Sequence, residues 1–404
     1  MSAAQWRRAM NTGAGRNAWS RPPRAPAAST AAIASVPDQA PAGFGAAVAD
    51  ALRAIGPRHV IVLLAVLVYP WVATPFFTYQ IGGQAMALGL IALSLTFLGG
   101  YGGMVSLAQM SIAGLAGYMV AIVGVAGEAQ GGASSLGWPW WIAVPIAIAI
   151  ATLFATFTGW LSVRTEGIYT IMITLAIGVS FFYLVQQNYS IFGGHEGFNQ
   201  VHAPMVFDID FNKAVPYYYL ALFWALAGYF FIKYLLRAPF GVALQGVREN
   251  ARRMNALGFD VTAHRIAAYT VAGVLAAIGG VLMAWYNGRI SPGSVGVGPM
   301  LDILIIAVLG GMRHPIGPFI GAILFVVVQN FAIDVIARER FNLVIGIVFL
   351  SIVLFSPDGL LGLWGYVRTH LAPGGVQPNR LSWRVGQTRR APARTDNGGV
   401  QADR

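Results

Sequence analysis

Residues 139–161 read PWWIAVPIAIAIATLFATFTGWL, without one ionisable side chain. A helix that crosses a bilayer needs about 20 such residues. Working outward, apolar runs of the same kind recur near 59–78, 82–99, 106–126, 168–187, 216–236, 265–286 and 342–357. Before the last of them lies a broken region, 299–336, interrupted by Gly310-Gly311-Met312-Arg313-His314-Pro315-Ile316-Gly317-Pro318. Irregular backbone at membrane depth is tolerated only where protein or a water-filled cavity surrounds it, so this region reads as a short span plus a full one. The pattern predicts an all-α integral membrane protein, a polytopic bundle of roughly 8–10 transmembrane helices with one broken or re-entrant region.

Composition agrees. Of 404 residues, 56% are hydrophobic and 10% charged, whereas a soluble globular domain carries about 25% charged residues. The net charge of +11 is almost all arginine, the lysines being Lys213 and Lys233. Those arginines cluster in the two tails and in short loops, which is the positive-inside pattern and not a nucleic-acid footprint. With the N-terminus inside, the cytoplasmic loops receive Arg53, Arg58, Arg164, Lys233, Arg237, Arg248, Arg252, Arg253, Arg265 and Arg313. The outer loops receive Lys213, Arg289, Arg338 and Arg340. The chain therefore divides into a basic, mostly disordered cytoplasmic arm (1–57), a transmembrane region (58–365) with a cytoplasmic loop at 239–264, and a basic disordered tail (366–404). There is no cysteine, which excludes disulfides and cysteine-held metals.

Four segments carry the functional reading. In the cytoplasmic loop, Leu244, Val247, Ala251 and Met254 recur at helical spacing after Pro239 and Gly241, while Arg248, Glu249, Arg252 and Arg253 cover the other faces. Gly258 stands where a left-handed cap favours glycine. Such a helix either rests on anionic lipid or docks a cytoplasmic partner. The second segment, Gly99-Gly100-Tyr101-Gly102-Gly103, is followed by Ser106 and Gln109. It is either a tight inner turn or a broken start to a pathway-lining helix. Gly310 and Gly311 in the second broken region are pathway candidates by the same argument. The third segment, Phe192-Gly193-Gly194-His195-Glu196-Gly197-Phe198, lies in the longest outer loop, ahead of His202, Asp208 and Asp210. The spacing fits no familiar metal motif, so the loop reads as a cover over the pathway mouth or a docking site. Last, Asp302 interrupts the run Met300-Leu301-Asp302-Ile303-Leu304-Ile305, and an ionisable residue in such a run is a functional candidate by default.

No lysine follows glycine ahead of serine or threonine, so there is no Walker A phosphate loop, and no HExxH zinc motif occurs. Gly132-Ala133-Ser134 has no histidine near it in sequence. Catalysis within the chain has no support, and no catalytic or metal-binding residue is assigned.

Taken together, these residues resemble the permease subunits of branched-chain amino-acid ABC importers of the LivM type, over roughly 60–360. The resemblance rests on GYGGMVSLAQMSIAGLAGYM (100–119), VRTEGIYTIMITLAIG (163–178) and GGHEGF (193–198). It continues through GVALQGVREN (241–250), ALGFDVTAHRIAAYTVAGVLAAIGGVLMA (256–284), ISPGS (290–294) and VLGGMRHPIGPFIGA (308–322). Ala108 stands where the family often has glycine, and Phe192 where it has threonine. The resemblance implies a multi-pass inner-membrane subunit that moves leucine, isoleucine and valine and is powered by two cytoplasmic ATPase subunits. ATP would be bound by those partners, with no cofactor in this chain. It further implies a second, LivH-like permease and a periplasmic substrate-binding protein. Loop 241–264 would be the coupling helix, with Arg248, Glu249, Asn250, Ala251, Arg252 and Gly258 as its ATPase-coupling residues, although the Glu249-to-Gly258 spacing exceeds the general permease pattern. Gly102, Gly103, Ser106, Gln109, Asp302, Gly310 and Gly311 would be pathway candidates, and Gly193, Gly194 and Gly197 outer-loop candidates. The alternatives are a urea or short-chain amide importer permease, which shares these motifs, and a secondary transporter needing no ATPase. An intramembrane enzyme lacks a visible nucleophile–base pair.

Overall fold

The computed structural model describes residues 57–125, 135–165, 167–206 and 208–335, with residues 346, 350, 359, 360 and 362 beyond them. The expected tails, and the span near 342–357 except for residues 346 and 350, lie outside the described residues. The chain divides into Met1–Leu63 and Leu64–Arg404. Of the first unit, residues 57–63 are described, and they open helix α1 (Pro57–Val72).

The second unit is built around α2 (Pro75–Tyr101), a helical stretch of 27 residues that is exposed at Pro75–Phe77 and mostly buried beyond them. Thr74 is extended (φ −64°, ψ 156°) ahead of Pro75, as a residue before proline prefers, and this is where the chain turns. The expected break between 78 and 82 is absent: Thr78–Gly83 is a π-helical stretch that continues the helix. Gly82 and Gly83 serve packing instead. A Cβ on either would lie 2.7 or 2.8 Å from the ring of Tyr218 or Tyr217. A second π-helical stretch, Phe97–Tyr101, ends α2.

Helices α3 (Gln109–Val123), α4 (Trp140–Ser162) and α5 (Ile168–Gln187) follow. In α4 the sequence separates two faces. Ala143, Ala147, Ala151, Ala155 and Gly159 recur every fourth residue and are buried, while Leu153, Phe157 and Trp160 are exposed. Small residues on one face let helices approach closely where lipid, not water, covers the other. After the short α6 (Tyr189–Phe192) come strands β1 (Phe198–Asn199), β2 (Met205–Val206) and β3 (Ile209–Asp210), then α7 (Ala214–Arg237). Helix α8 (Pro239–Ala256) precedes α9 (Val261–Asn287), β4 (Arg289–Ile290), α10 (Val297–Gly310) and α11 (Gly317–Val335).

Helices α2, α4, α5, α7 and α9 are long and apolar enough to cross a membrane. Shorter apolar helices cover Gln109–Val123, Val297–Gly310 and Gly317–Phe331. The protein is thus an all-α polytopic membrane protein. Helix α9 packs on α2, α3 and α4 together. Its contact with α3 runs through glycine: a Cβ on Gly280 would lie 2.6 Å from Ala113 Cα. The broken region is a helical hairpin, α10 and α11 joined by residues 311–316. Gly310, Gly317 and Gly321 sit where its arms meet, and a Cβ on Gly321 would lie 2.8 Å from the Gly310 nitrogen.

Candidate functional site

Three groups of residues, at two ends of the same helices and between them, make up the site. The first joins segments that are far apart in sequence. Arg248 of α8 donates through a guanidinium nitrogen to the Gly100 carbonyl at the end of α2. Its stem lies against Gly103, where φ is +70° and a Cβ would be 2.9 Å from Arg248 Cγ. From the same turn the Tyr101 hydroxyl donates to the Arg313 carbonyl at 2.8 Å. Gly100 also meets the backbone of Met312, and a side chain there would strike the Met312 carbonyl. Gly102 is close to Met104 and Leu244. The two glycine-rich breaks and helix α8 therefore form one junction. Gly310 and Gly311 belong to the hairpin side of it, with Gly311 at φ +98°.

Helix α8 is not a single straight helix. Asn250 has non-helical dihedrals (φ −158°, ψ 92°), and its Oδ1 accepts from the Arg253 nitrogen at 2.9 Å. An asparagine that satisfies an orphan N–H in this way is an N-cap. The expected stripe therefore divides: Gly241, Ala243, Leu244 and Val247 are buried before the kink. Met254 instead lies by Gly246, where a Cβ would be 2.9 Å from its sulfur. Arg248, Glu249, Asn250 and Arg252 are exposed, Ala251 half-buried, and Gly258 adopts φ +88° with open space around it. Beyond the kink, Leu257 is 67% and Phe259 40% exposed, which leaves an apolar edge beside the charged face. His264 holds the following loop, stacking on Phe240 and meeting Phe259 edge to face, while Asp260 caps α9 through the Ala263 nitrogen at 3.0 Å.

The second group encloses a cavity of about 170 Å³ between α2, α3, α9, α10 and α11. Its polar lining is Gln84, Asn287, Ser294, Asp302 and Gln329. Leu88, Met110, Met283, Ile303 and Phe325 supply apolar walls. Asp302 has no ion-pair partner among the described residues, and no lysine, arginine or histidine lines the cavity. The Gln329 Oε1 is buried and unpartnered among the described residues. The Tyr286 hydroxyl donates to Gln84 Oε1 at 3.4 Å. Ser106 and Gln109 lie elsewhere. Ser106 is buried facing Tyr269, and Gln109 accepts through Oε1 from Ser94 at 2.9 Å. The loop carrying them is tied down by the Leu107 N–H, which donates to Thr174 Oγ1 at 3.1 Å.

The third group is the glycine-rich loop that follows α6. Gly193 takes φ +72° and caps α6. Gly194 takes φ +58° against the Tyr189 ring. Gly197, at φ +68°, presses on Ile290 and Ser291, where a side chain would strike the Ile290 carbonyl. Phe198 pairs with Ile290 and Asn199 with Arg289, antiparallel. The Val201 N–H donates to the Gly288 carbonyl at 2.9 Å. Ile290 lines the cavity, so the glycine motif holds one of its walls. Further along, the Asp210 carboxyl is held below the usual carboxylate range by the Asn212 backbone N–H and then by the Asn212 side-chain amide. His195 lies beside Gln186, with Nδ1 and Nε2 3.4 Å apart.

Sequence reasoning found Asp302 but missed Gln84, Asn287, Ser294 and Gln329. Gln84, Asn287 and Gln329 are polar residues inside or ending an apolar run, which is the signal that singled out Asp302, but uncharged side chains are too common there to stand out, and Ser294 lies in the loop between two runs.

The family model described as "Branched-chain amino acid transport system / permease component" matches residues 77–353. The chain is similar to the high-affinity branched-chain amino acid transport system permease protein LivM of Salmonella typhimurium, 26% identical over 326 residues and 74% of each chain. It is likewise similar to the LivM of the same description from Escherichia coli K12, 26% identical over 328 residues and 74% of each chain. The probable branched-chain amino acid transport permease protein LivM of Methanocaldococcus jannaschii is 24% identical over 233 residues, 54% of this chain and 67% of that relative. No solved structure matches the chain.

Proposed function

The chain belongs to the branched-chain amino acid transport permease family, and from that premise we propose that it is the membrane-spanning subunit of an ATP-binding cassette importer for leucine, isoleucine and valine. It works in the cell inner membrane beside a second, LivH-like permease. Two cytoplasmic ATPase subunits bind the ATP, so this chain needs no cofactor and performs no catalysis. A periplasmic binding protein delivers the amino acid. The substrate rests on the LivM relatives, which are described as branched-chain amino acid permeases; no comparable observation favours urea or a short amide.

The observation that carries the coupling role is the inner junction. Helix α8 presents Glu249, Arg252 and Arg253 outward and the loop after it Leu257 and Phe259, a mixed charged and apolar face suited to a protein partner. Its other side grips the end of α2 through Arg248, and α2 grips the α10–α11 turn through Tyr101. Helices α2, α10 and α11 all line the cavity. When ATP draws the ATPases together, α8 is displaced, and the junction passes that displacement to three walls of the cavity. Packed helices change between discrete arrangements and do not deform continuously, so a small shift at α8 becomes a change of access.

The test is uptake of labelled leucine into cells lacking this chain, with and without its restoration, challenged by excess valine or urea. Restored uptake that valine suppresses and urea does not supports the reading. Restored uptake of urea or a short amide in place of leucine overturns the substrate.

A further inference from the structure

Among the described residues, nothing pairs the carboxylate that lines the cavity between α2, α3, α9, α10 and α11. Asp302 sits in an apolar helix of the bundle and lacks an ion-pair partner among the described residues. A carboxylate in such an apolar helix is costly unless it meets a positive group. The cavity wall offers none, and the neighbouring helix adds an acceptor instead, the buried and unpartnered Gln329 Oε1. Two acceptors from adjacent helices make a place for a cation with several N–H donors. Donors stand elsewhere on the same wall. Asn287 ends α9, Ser294 follows it, and Gln84 retains its amide N–H groups because Tyr286 engages its Oε1. Leu88, Met283 and Phe325 line the same cavity. Since one water needs roughly 10–15 Å³ of such volume, the cavity has room for a solute of several heavy atoms.

We propose that this cavity is a waypoint for a zwitterionic amino acid, inside this subunit. Asp302 and Gln329 accept from the α-ammonium group, Asn287 and Gln84 donate to the carboxylate, and the apolar side chain lies on Leu88, Met283 and Phe325. The inference rests on the importer reading above. It assigns recognition of the ammonium group to this chain in addition to any selection outside the membrane. One unpaired carboxylate gives an attraction that a passing solute can leave, as a transport site requires. The glycine-rich loop after α6 matters here too, because Gly197 and Phe198 fix Ile290, which together with Ser294 borders the same cavity.

The experiment uses the assembled transporter in membrane vesicles. The chain has no cysteine, so Ser294→Cys places one thiol on the cavity wall. Its labelling rate is measured with a cationic aminoethyl and an anionic sulfonatoethyl methanethiosulfonate, with Asp302 intact and with Asp302→Asn. The proposal expects the cation-to-anion rate ratio to fall about tenfold in Asp302→Asn. It expects leucine uptake to fall at least tenfold in Asp302→Asn and to recover in part with Asp302→Glu. A ratio and an uptake both unchanged within twofold overturn it. If Asp302→Asn does not reach the membrane, protection of the Ser294→Cys thiol in the Asp302 background decides. Protection by leucine and not by 4-methylpentanoate, which lacks the ammonium group, supports the site. Equal protection by both, none by either, or protection that follows sodium, overturns it. Failure of the unsubstituted transporter to take up leucine at all marks instead the failure of the importer reading.

Discussion

Replacing Arg248 with methionine separates the two things this side chain does. Methionine keeps an apolar stem against Gly103 but removes the donor to the Gly100 carbonyl. A hydrogen bond from a charged donor contributes about 1.5–3 kcal/mol when well sheltered. Arg248 is exposed, so water competes for both groups, and the contribution falls to about 1 kcal/mol. That is roughly a fivefold change in the population of the joined state. Because the junction is the route from α8 to the cavity helices, Arg248→Met should lower ATP-driven leucine uptake about fivefold. Basal ATP hydrolysis by the assembled complex should be retained, since α8 itself stays folded on Leu244 and Val247. Arg248→Ala loses the stem as well and should lower uptake further. The assay is initial-rate uptake into vesicles loaded with ATP, normalised to the amount of chain in the membrane. Uptake by Arg248→Met within about 1.5-fold of the unsubstituted protein would refute the idea that this contact transmits motion.

Two further outcomes follow from the helix packing and from the turn at 210–213. Gly280→Leu should lower the midpoint of thermal unfolding in detergent by several degrees, because its Cβ would meet the Ala113 backbone, which cannot swing aside; overpacking of this kind costs about 1–3 kcal/mol and occasionally more. Gly298→Ala, with nothing within 4 Å of the added carbon, should leave the midpoint in place, and equal shifts in the two would contradict the close α3–α9 contact. For Asp210, a folded pKa below the unfolded value of about 3.9 means that its contribution to the 210–213 turn is present above that value and lost as pH falls through the folded one. Hydrogen-exchange protection of the Asn212 amide, corrected for intrinsic rate, should therefore hold across neutral pH and drop in strong acid. Asp210→Asn should show no such drop.

The departures from the sequence reading share a cause. The glycine-rich stretches 99–103 and 310–318 read as breaks because glycine tolerates unusual dihedrals, and at Gly103 and Gly311 positive φ is indeed observed. At Gly82 and Gly83 the same residue type serves a different need, room for the Tyr217 and Tyr218 rings, in a helix that does not stop. Sequence cannot tell the two uses apart, because the tyrosines lie more than a hundred residues away. The stripe through Leu244, Val247, Ala251 and Met254 had correct helical spacing. It divides because the Asn250 side chain competes for a backbone N–H, and a mid-helix asparagine gives no sign in advance of which way it turns.

What the sequence determined by itself is whatever depends on transfer between water and lipid. Apolar length placed the helices, and arginine in the loops set the expectation of which side is cytoplasmic. These are local sums over neighbouring residues, and they need no knowledge of the fold. What only the tertiary structure decided is which segments meet. Gly100, Arg248 and Arg313 come together at one junction, and Gln84, Asn287, Asp302 and Gln329 at one cavity, from helices spread across the chain. Such meetings are set by how helices with small-residue faces settle against one another, a global packing problem in which every contact depends on the rest.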